Sequence, residues 1–513
     1  MKNEETVEIL DKVLEFSNSK GLFDCGIIVV GLSGGPDSVA LLHILKGLRN
    51  CFDIDCDIYA LHCNHHLRPG VCDEEAELVK ELCKENHVDL KILDFDCRGF
   101  AGQNHISEET AGRVLRYEAF EQYAKALEAA KNTTVRIAVA HHKDDIAETM
   151  MMNLFRGSGL DGLVNPKPIT GRIIRPLLCV KKNELVDYLD TLGVSYAIDQ
   201  TNLTTDGTRN TWRNEFLPKI GTYYHEDPSA PLTRTYKLLS DDLDFINSMA
   251  RDFYAANRKS ISGHLFLSAS GVKVLHQSMK SRVIRMLWYE TFGDLIDFEE
   301  LHLNDCCSLL EREVSGEMTL DMPFGRKAYR YGDLFGFAGK EEISSLACAV
   351  AGEMGFLTSF DCLNMELNLS DIPEKGGLSV KISNSALKLK AYIIENKGEL
   401  EYNNFSWFCP VDVIREGGIT LGNCNGTGTG LRMRKAGSGG SKEINRLMTD
   451  LKIPESARKQ IIFIEKNGEI LWLPGFGHGI GFTNAISRER YIEDMQSNGK
   501  DPGSLIMFTI EWQ

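Results

Sequence analysis

The chain has 513 residues, too many for one core, so three or four domains are expected; its 43% hydrophobic and 25% charged content is that of a soluble globular protein. A net charge of −16 excludes a generic polyanion binder, so any nucleic-acid site must be a local basic patch. Fourteen cysteines without one C-x-x-C argue against a zinc ribbon or a redox pair and fit reduced thiols in the cytoplasm.

The opening MKNEETVEILDKVLEF lacks the apolar segment of a signal peptide, and no apolar run reaches membrane length, so no membrane partner is expected. Val7, Leu10, Val13 and Leu14 predict a helix over 5–16. Ile27 to Leu32 reads as a strand buried on both faces, and Pro36 opens a helix at the position where its missing N–H costs nothing. Strands are expected at Ile58–His62, Leu90–Phe95, Val135–Ala140 and Ile173–Leu178, with helices at Asp73–Asn86, Glu108–Ala130 and Lys181–Gly193. That alternation predicts an α/β fold with a doubly wound parallel sheet and ligands at the carboxyl ends of its strands.

Pro218, Asp227-Pro228 and Pro231 mark a boundary. Helical patterns follow over 233–259 and 276–312, and Glu317–Phe337 alternates like a hairpin. Residues 340 to 424 carry strand-like stretches, Gly377–Ile382 and Leu387–Ile394 among them, without recognisable chemistry. NCNGTGTG, ending at Gly430, reads as a flexible junction. Beyond it a basic helical stretch and strands at Ile461–Ile464 and Ile470–Trp472 are expected. The expected divisions are 1–222 catalytic, 223–340 mostly helical and substrate-binding, 341–425 a strand-rich connection, and 426–513 an α+β C-terminal domain.

Chemistry concentrates at the expected strand ends. Ser33-Gly34-Gly35-Pro36-Asp37-Ser38 joins a strand to a helix N-terminus, where free N–H groups and the helix dipole make an anion site. It lacks the Lys of the GxxxxGK[ST] loop. Asp37 beside bound phosphate would be repelled without a cation between them, which suggests Mg2+ with Asp37 as ligand. A plain helix cap explains Ser, Pro and Asp, but not two glycines. His141-His142-Lys143-Asp144-Asp145-Ile146-Ala147-Glu148 is the second cluster, with Asp145 and Glu148 on one helix face. Its bland alternative is a capping arrangement, Asp145 at the cap with Glu148 reaching back. Arg113 and Arg116 share a helix face, and Arg209 and Arg213 stand at i, i+4, which suits acidic-ligand binding or simple ion pairing.

SGGPDS resembles the PP-loop of the N-type ATP pyrophosphatases, which cleave ATP to AMP and pyrophosphate. With NHHLRPG, EETAGRVLRY, AHHKDDIAET, FRGSGLDGL, IIRPLL and RNTWRNEFLP in that order, residues 26–220 closely resemble the tRNA(Ile)-lysidine synthetase family. The match weakens over 230–340 and 430–475 and is faint over 340–424. The resemblance implies that ATP adenylates the wobble cytidine of a CAU-anticodon tRNA(Ile) and that free L-lysine displaces AMP through its ε-amine. It further implies Asp37 and Asp145 as holders of Mg2+ or lysine, and Arg113 and His141 as stabilisers of phosphoryl transfer. Glu148 and Arg209 are then expected on the lysine ammonium and carboxylate. Ile146 and Gly112 depart from the family, where Gln and Ala are usual. A tRNA-thiolating PP-loop enzyme, an amide-forming one, and a non-catalytic tRNA-binding protein are the alternatives. Thiolation is disfavoured by the missing C-x-x-C, amide formation by the absence of a glutaminase. Between Leu431 and Gln460, eight basic residues stand against three acidic ones, a local +5. Arg432, Arg434, Lys435, Lys442 and Arg446 are expected to hold tRNA phosphates there. The sequence leaves a homodimer open.

Overall fold

The computed structural model describes residues 2–52, 54–66, 70–197, 208–225, 227–373, 377–382, 387–394, 405–415, 417–434, 441–478, 483–484, 497 and 504–512. They divide into two compact units, Met1–Phe245 and Ile246–Gln513.

In the first unit, helix α1 (Lys2–Ser19) precedes strand β1 (Ile27–Gly31), α2 (Pro36–Phe52), β2 (Asp57–Asn64), α3 (Val71–Glu85), β3 (Asp89–Asp94), α4 (Cys97–Asn104), α5 (Glu108–Lys131) and β4 (Val135–Ala138). Then come α6 (Lys143–Phe155), α7 (Leu160–Leu163), β5 (Ile169–Thr170), β6 (Ile173–Ile174) and α8 (Lys182–Leu192). The six strands are ordered β3-β2-β1-β4-β6-β5, all parallel except the two-residue edge strand β5. The central strand is apolar on both faces because helices cover both: Ile28 and Val30 pack with α2 and α3, Val29 with Phe120 and Ala124 of α5. Gly31 is obligatory: a Cβ there would lie 2.6 Å from the Phe120 ring.

One strand expectation needs correction. Pairing stops at Ile174, and Pro176 opens a 3-10 turn over Pro176–Cys179. Pro lacks the N–H that a ladder needs and favours the first turn of a helix. The helix α4 also goes beyond the sequence reading; Asp96 caps it by accepting from Gly99 N at 2.9 Å.

In the second unit, the stretch expected to be mostly helical carries helices Gln277–Phe292 and Glu300–Glu311 against a five-stranded antiparallel sheet. The single helical pattern over 276–312 breaks at Gly293, whose φ of 80° no other residue adopts cheaply. The expected hairpin is a three-strand meander, Glu317–Met322, Arg326–Tyr331 and Leu334–Gly339. Its core centres on buried Trp288, stacked 4.2 Å from Phe298.

Two further sheets follow. Ile419–Gly422 pairs with Phe463–Lys466, so one sheet draws strands from both sides of residue 425. Trp407 and Trp472, stacked at 5.9 Å, join it to the sheet of Leu387–Ile394 and Leu505–Trp512.

Two expectations change here. NCNGTGTG begins as a built element: Asn423 is fully buried, accepts from Leu363 N and donates to the carbonyls of Ser359 and Asp361. The basic stretch is helical over Ile444–Asp450 and Glu455–Gln460, but it opens with a strand pair, Arg432–Arg434 with Ser441–Glu443. Among the described residues, no helix is long and apolar enough to cross a membrane.

Candidate active site

Strand order reverses between β1 and β4, since the crossover from β1 runs to β2 and β3 on one side and the chain returns to β4 on the other. The crevice outside the carboxyl ends at such a point is where open α/β sheets bind ligands. SGGPDS leaves β1 into this crevice and HHKDD leaves β4 into it.

The loop is held by its own serines. Ser38 Oγ accepts from Ser33 N at 3.1 Å and donates to Gly35 O at 3.0 Å, while Ser33 Oγ accepts from Gly35 N at 3.4 Å. Gly34 has φ 89°, which a side chain would resist, and Pro36 sits at the head of α2. The amides of this turn and the positive end of α2 therefore face a cavity of about 580 Å³. Its lining includes Ser33, Gly35, Asp37, Ser38, Arg116 and His141.

At the head of α6, His142 is almost fully buried. Its Nε2 stands 3.6 Å from Asp145 and 3.8 Å from Asp37; its Nδ1 stands 3.3 Å from Asp144. Burial opposes charge on this ring, but the three carboxylates outweigh it and hold its pKa above the usual histidine value. Neighbouring His141 behaves oppositely. Burial pushes its pKa down to about 4, with Arg175, Arg209 and Arg113 adding to the effect against Asp145. His141 is thus a neutral imidazole near neutral pH, and its Nδ1 is buried with no hydrogen-bond partner among the described residues.

A capping arrangement is present, but with other residues than the alternative named: His142 is the N-cap, and Asp145 reaches back to accept from His142 N at 2.9 Å. Glu148 does not. It is 1% exposed and accepts from Arg209 Nε at 2.8 Å and from Arg213 Nε at 2.5 Å. Both guanidinium groups also reach Asp145 Oδ1, at 2.8 and 3.2 Å. The i, i+4 arginines thus clamp the i, i+3 acids. They sit where α9 (Thr208–Thr211) runs into a π-helical turn, Trp212–Phe216, ahead of α10 (Leu217–Tyr224). Asp144 faces elsewhere and accepts from Lys182 N at 2.8 Å, fastening α6 to α8.

A second cavity, of about 380 Å³, adjoins the first through His141. Arg113, Arg156, Arg175 and Arg209 line it. Arg113 and Arg116, one turn apart on α5, therefore serve different cavities. Arg175 is 8% exposed; its Nη1 donates to Lys167 O and Thr170 Oγ1, its Nε has no partner, and no carboxylate pairs with it among the described residues. A buried cation without a counter-ion, on a wall of arginines, fits an anionic ligand.

Asp37 Oδ1 is buried without a partner among the described residues, while its Oδ2 stands 3.8 Å from His142 Nε2. A spare carboxylate oxygen fits a hard cation. No group of three or more His, Cys, Asp or Glu ligands exists among the described residues, but Mg2+ takes one or two carboxylates and completes its shell with phosphate and water.

The structure brings Ser33 to Ser38, Arg113, His141, Asp145, Glu148 and Arg209 to one crevice. Arg432, Arg434 and Lys442 are in the second unit, exposed and paired with Glu443, Glu469 and Asp450. Arg446 follows on the short helix, and Lys435 lies outside the described residues. Sequence reasoning did not single out His142, Arg156 or Arg175. The His-His pair signalled that one ring would matter, but only the fold tells which one meets the acids.

Residues 6–220 match the family model described as the PP-loop domain, and residues 425–493 the one described as the TilS substrate C-terminal domain. A tRNA(Ile)-lysidine synthase of Caldanaerobacter subterraneus subsp. tengcongensis is 28% identical, over 88% of this chain and 89% of the relative. The protein of that name from Clostridioides difficile is 29% identical, over 90% and 94%. One from Bacteroides thetaiotaomicron is 41% identical over a shorter match, 37% of this chain and 42% of the relative. A phosphate loop, an acid–arginine clamp and an arginine-walled chamber meet in one crevice, and along nearly its whole length the chain is similar to the tRNA(Ile)-lysidine synthases.

Proposed function

We propose that this protein is an ATP-dependent carbon–nitrogen ligase that converts the wobble cytidine of a CAU-anticodon tRNA(Ile) to lysidine. The cytidine carbonyl oxygen attacks the α-phosphorus of ATP, the α–β bridge breaks, and pyrophosphate leaves. The ε-amine of free lysine, having lost a proton, then attacks the activated carbon. The C–O bond breaks and AMP departs with the oxygen. The observation that carries this reading is the meeting of a lysine-free phosphate loop and the α6 acids at one strand-order reversal.

The larger cavity suits ATP, with its phosphates on the amides of Ser33 to Ser38. The smaller suits the cytidine with its backbone phosphate, and at the Arg209 end the lysine. Both volumes fall in the usual ligand-pocket range, roughly 300–1,000 Å³. His141 borders both and, being neutral, can donate one N–H to phosphate oxygens without carrying charge. Arg113 stabilises the charge that gathers as the α-phosphorus is attacked. Asp37 and Asp145 would hold Mg2+, which when bound neutralises phosphate charge. Glu148 takes the lysine ammonium and Arg209 its carboxylate. Because these two residues pair with each other, lysine enters by exchanging partners within an existing ion network, which spares it the desolvation of a bare buried charge. Arg432, Arg434, Lys435, Lys442 and Arg446 grip phosphates away from the anticodon. The reaction belongs in the cytoplasm, where ATP, lysine and tRNA meet.

The test is pyrophosphate release from ATP with a CAU-anticodon tRNA(Ile), with and without lysine, and mass analysis of the modified base. Lysine-dependent addition of one lysyl group is expected. Incorporation of sulfur, or turnover indifferent to lysine, would overturn the reading.

A further inference from the structure

Three aromatic rings form a row on the surface of the first unit. Phe155 closes α6, and Trp212 and Phe216 bracket the π-helical turn. Ring centroids are 5.2 Å apart from Phe155 to Trp212 and 5.0 Å from Trp212 to Phe216. A row of this kind normally closes over a core, but Phe155 is 73% exposed, Phe216 43% and neighbouring Leu154 51%. Large rings left in water together mark a binding surface more often than a packing one.

The row's neighbours decide what binds. Arg156 follows Phe155 directly, and Arg209 stands one turn before Trp212; both line the arginine-walled chamber. The rings therefore flank a strongly cationic pocket. Apolar planes interleaved with guanidinium groups suit unpaired nucleotides: bases stack on rings while phosphates meet the arginines. A lipid surface or an amphipathic helix would instead want a broader apolar face without buried cations. A π-turn also staggers Trp212 and Phe216 out of the register of an ordinary helix, a distortion frequent at functional sites.

We infer that Phe155, Trp212 and Phe216 form a stacking platform for unpaired bases of the anticodon loop, beside the pocket that takes the wobble nucleotide. This rests on the reading of a tRNA anticodon as substrate. The platform holds flanking bases apart from the duplex stem, so that one base can leave the stack and enter the chamber.

The experiment uses the full chain with two RNA hairpins. One has an open loop carrying CAU; the other has the same stem closed by a compact, fully stacked loop. Phe155→Leu, Trp212→Leu and Phe216→Leu keep apolar bulk and remove a ring, and Trp212→Phe restores one. The leucine variants should weaken open-loop binding about five- to hundredfold, the range expected for removing one base–ring stack. Binding of the closed hairpin, the KM for ATP and the Tm should stay put, and Trp212→Phe should recover most of the loss. Unchanged open-loop affinity in all three leucine variants would overturn the platform, as would wild type failing to prefer the open loop. A parallel fall for both hairpins with a lower Tm would make the row plain packing and overturn it as well. Lysidine formation by wild type is followed in the same samples. Loop preference that depends on the rings but without lysidine sinks the proposed reaction and leaves the platform standing; lysidine with ring-independent binding sinks the platform alone.

Discussion

Asp37 lies in the first turn of α2 and Glu148 in the second turn of α6, and the two acids have opposite surroundings. Asp37 keeps one oxygen without a partner, whereas Glu148 is saturated by two arginines. Asp37→Asn should therefore abolish AMP and pyrophosphate formation while the Tm holds, because Asp37 Oδ1 makes no structural bond that the change could break. AMP release and melting measured on one preparation check this, and wild-type turnover would remove Asp37 from the reaction. Glu148→Gln should raise the KM for lysine about ten- to hundredfold, the effect of one charge-assisted hydrogen bond of about 1.5–3 kcal/mol, and leave the KM for ATP within about threefold. It also leaves Arg209 and Arg213 short of a counter-charge, so some loss of Tm accompanies it. An equal rise for both substrates would mean that the acid only holds the clamp together.

What could be read from sequence at the level of elements followed how local each signal was. SGGPDS and HHKDD carry their glycines, proline and acids within a few residues, so strand, turn and helix start are all legible there. The clamp is not. Arg209 and Arg213 lie 61 to 68 residues beyond the acids they bind, and spacing within RNTWRN gives no hint of that partner. Arg175 was hidden by a run of Ile and Leu that looks like strand until Pro176 stops the pairing. The strand pair that opens the basic stretch was missed because its charges were visible and its cross-strand partners were not. Asn423 was lost among glycines for a similar reason: burial is a long-range property. Asn423→Ala should cost about 2–4 kcal/mol, since it strands a buried N–H of Leu363 and two carbonyls at once. Denaturant unfolding measures it, and a loss below about 1 kcal/mol would mean that water replaces the amide.

For the molecule as a whole, the question is how an acidic protein holds a polyanion. Net charge opposes it, so the grip must be local. In the second unit Arg432, Arg434 and Lys442 already pair with acids, all exposed, so each tRNA phosphate replaces a weak surface pair. Alanine at Arg432, Arg434, Lys442 and Arg446 together should lower tRNA affinity without changing the KM for ATP. The slope of log K against log salt should flatten by about 0.7–0.9 for each phosphate no longer neutralised. Binding measured across a salt series decides: an unchanged slope would leave these residues as ion pairs of a strand edge. Shortening the chain at Gly430 is a poorer test, because it removes partners of Ile419–Gly422 from its own sheet.

The two cavities of the crevice share one imidazole and little else. With nucleotide in one and cytidine in the other, each can fill while the other stands open. Such a partition imposes no sequence of arrival. The steady-state kinetics of ATP and tRNA should then be random rather than ordered, with His141 the one side chain that borders both sites.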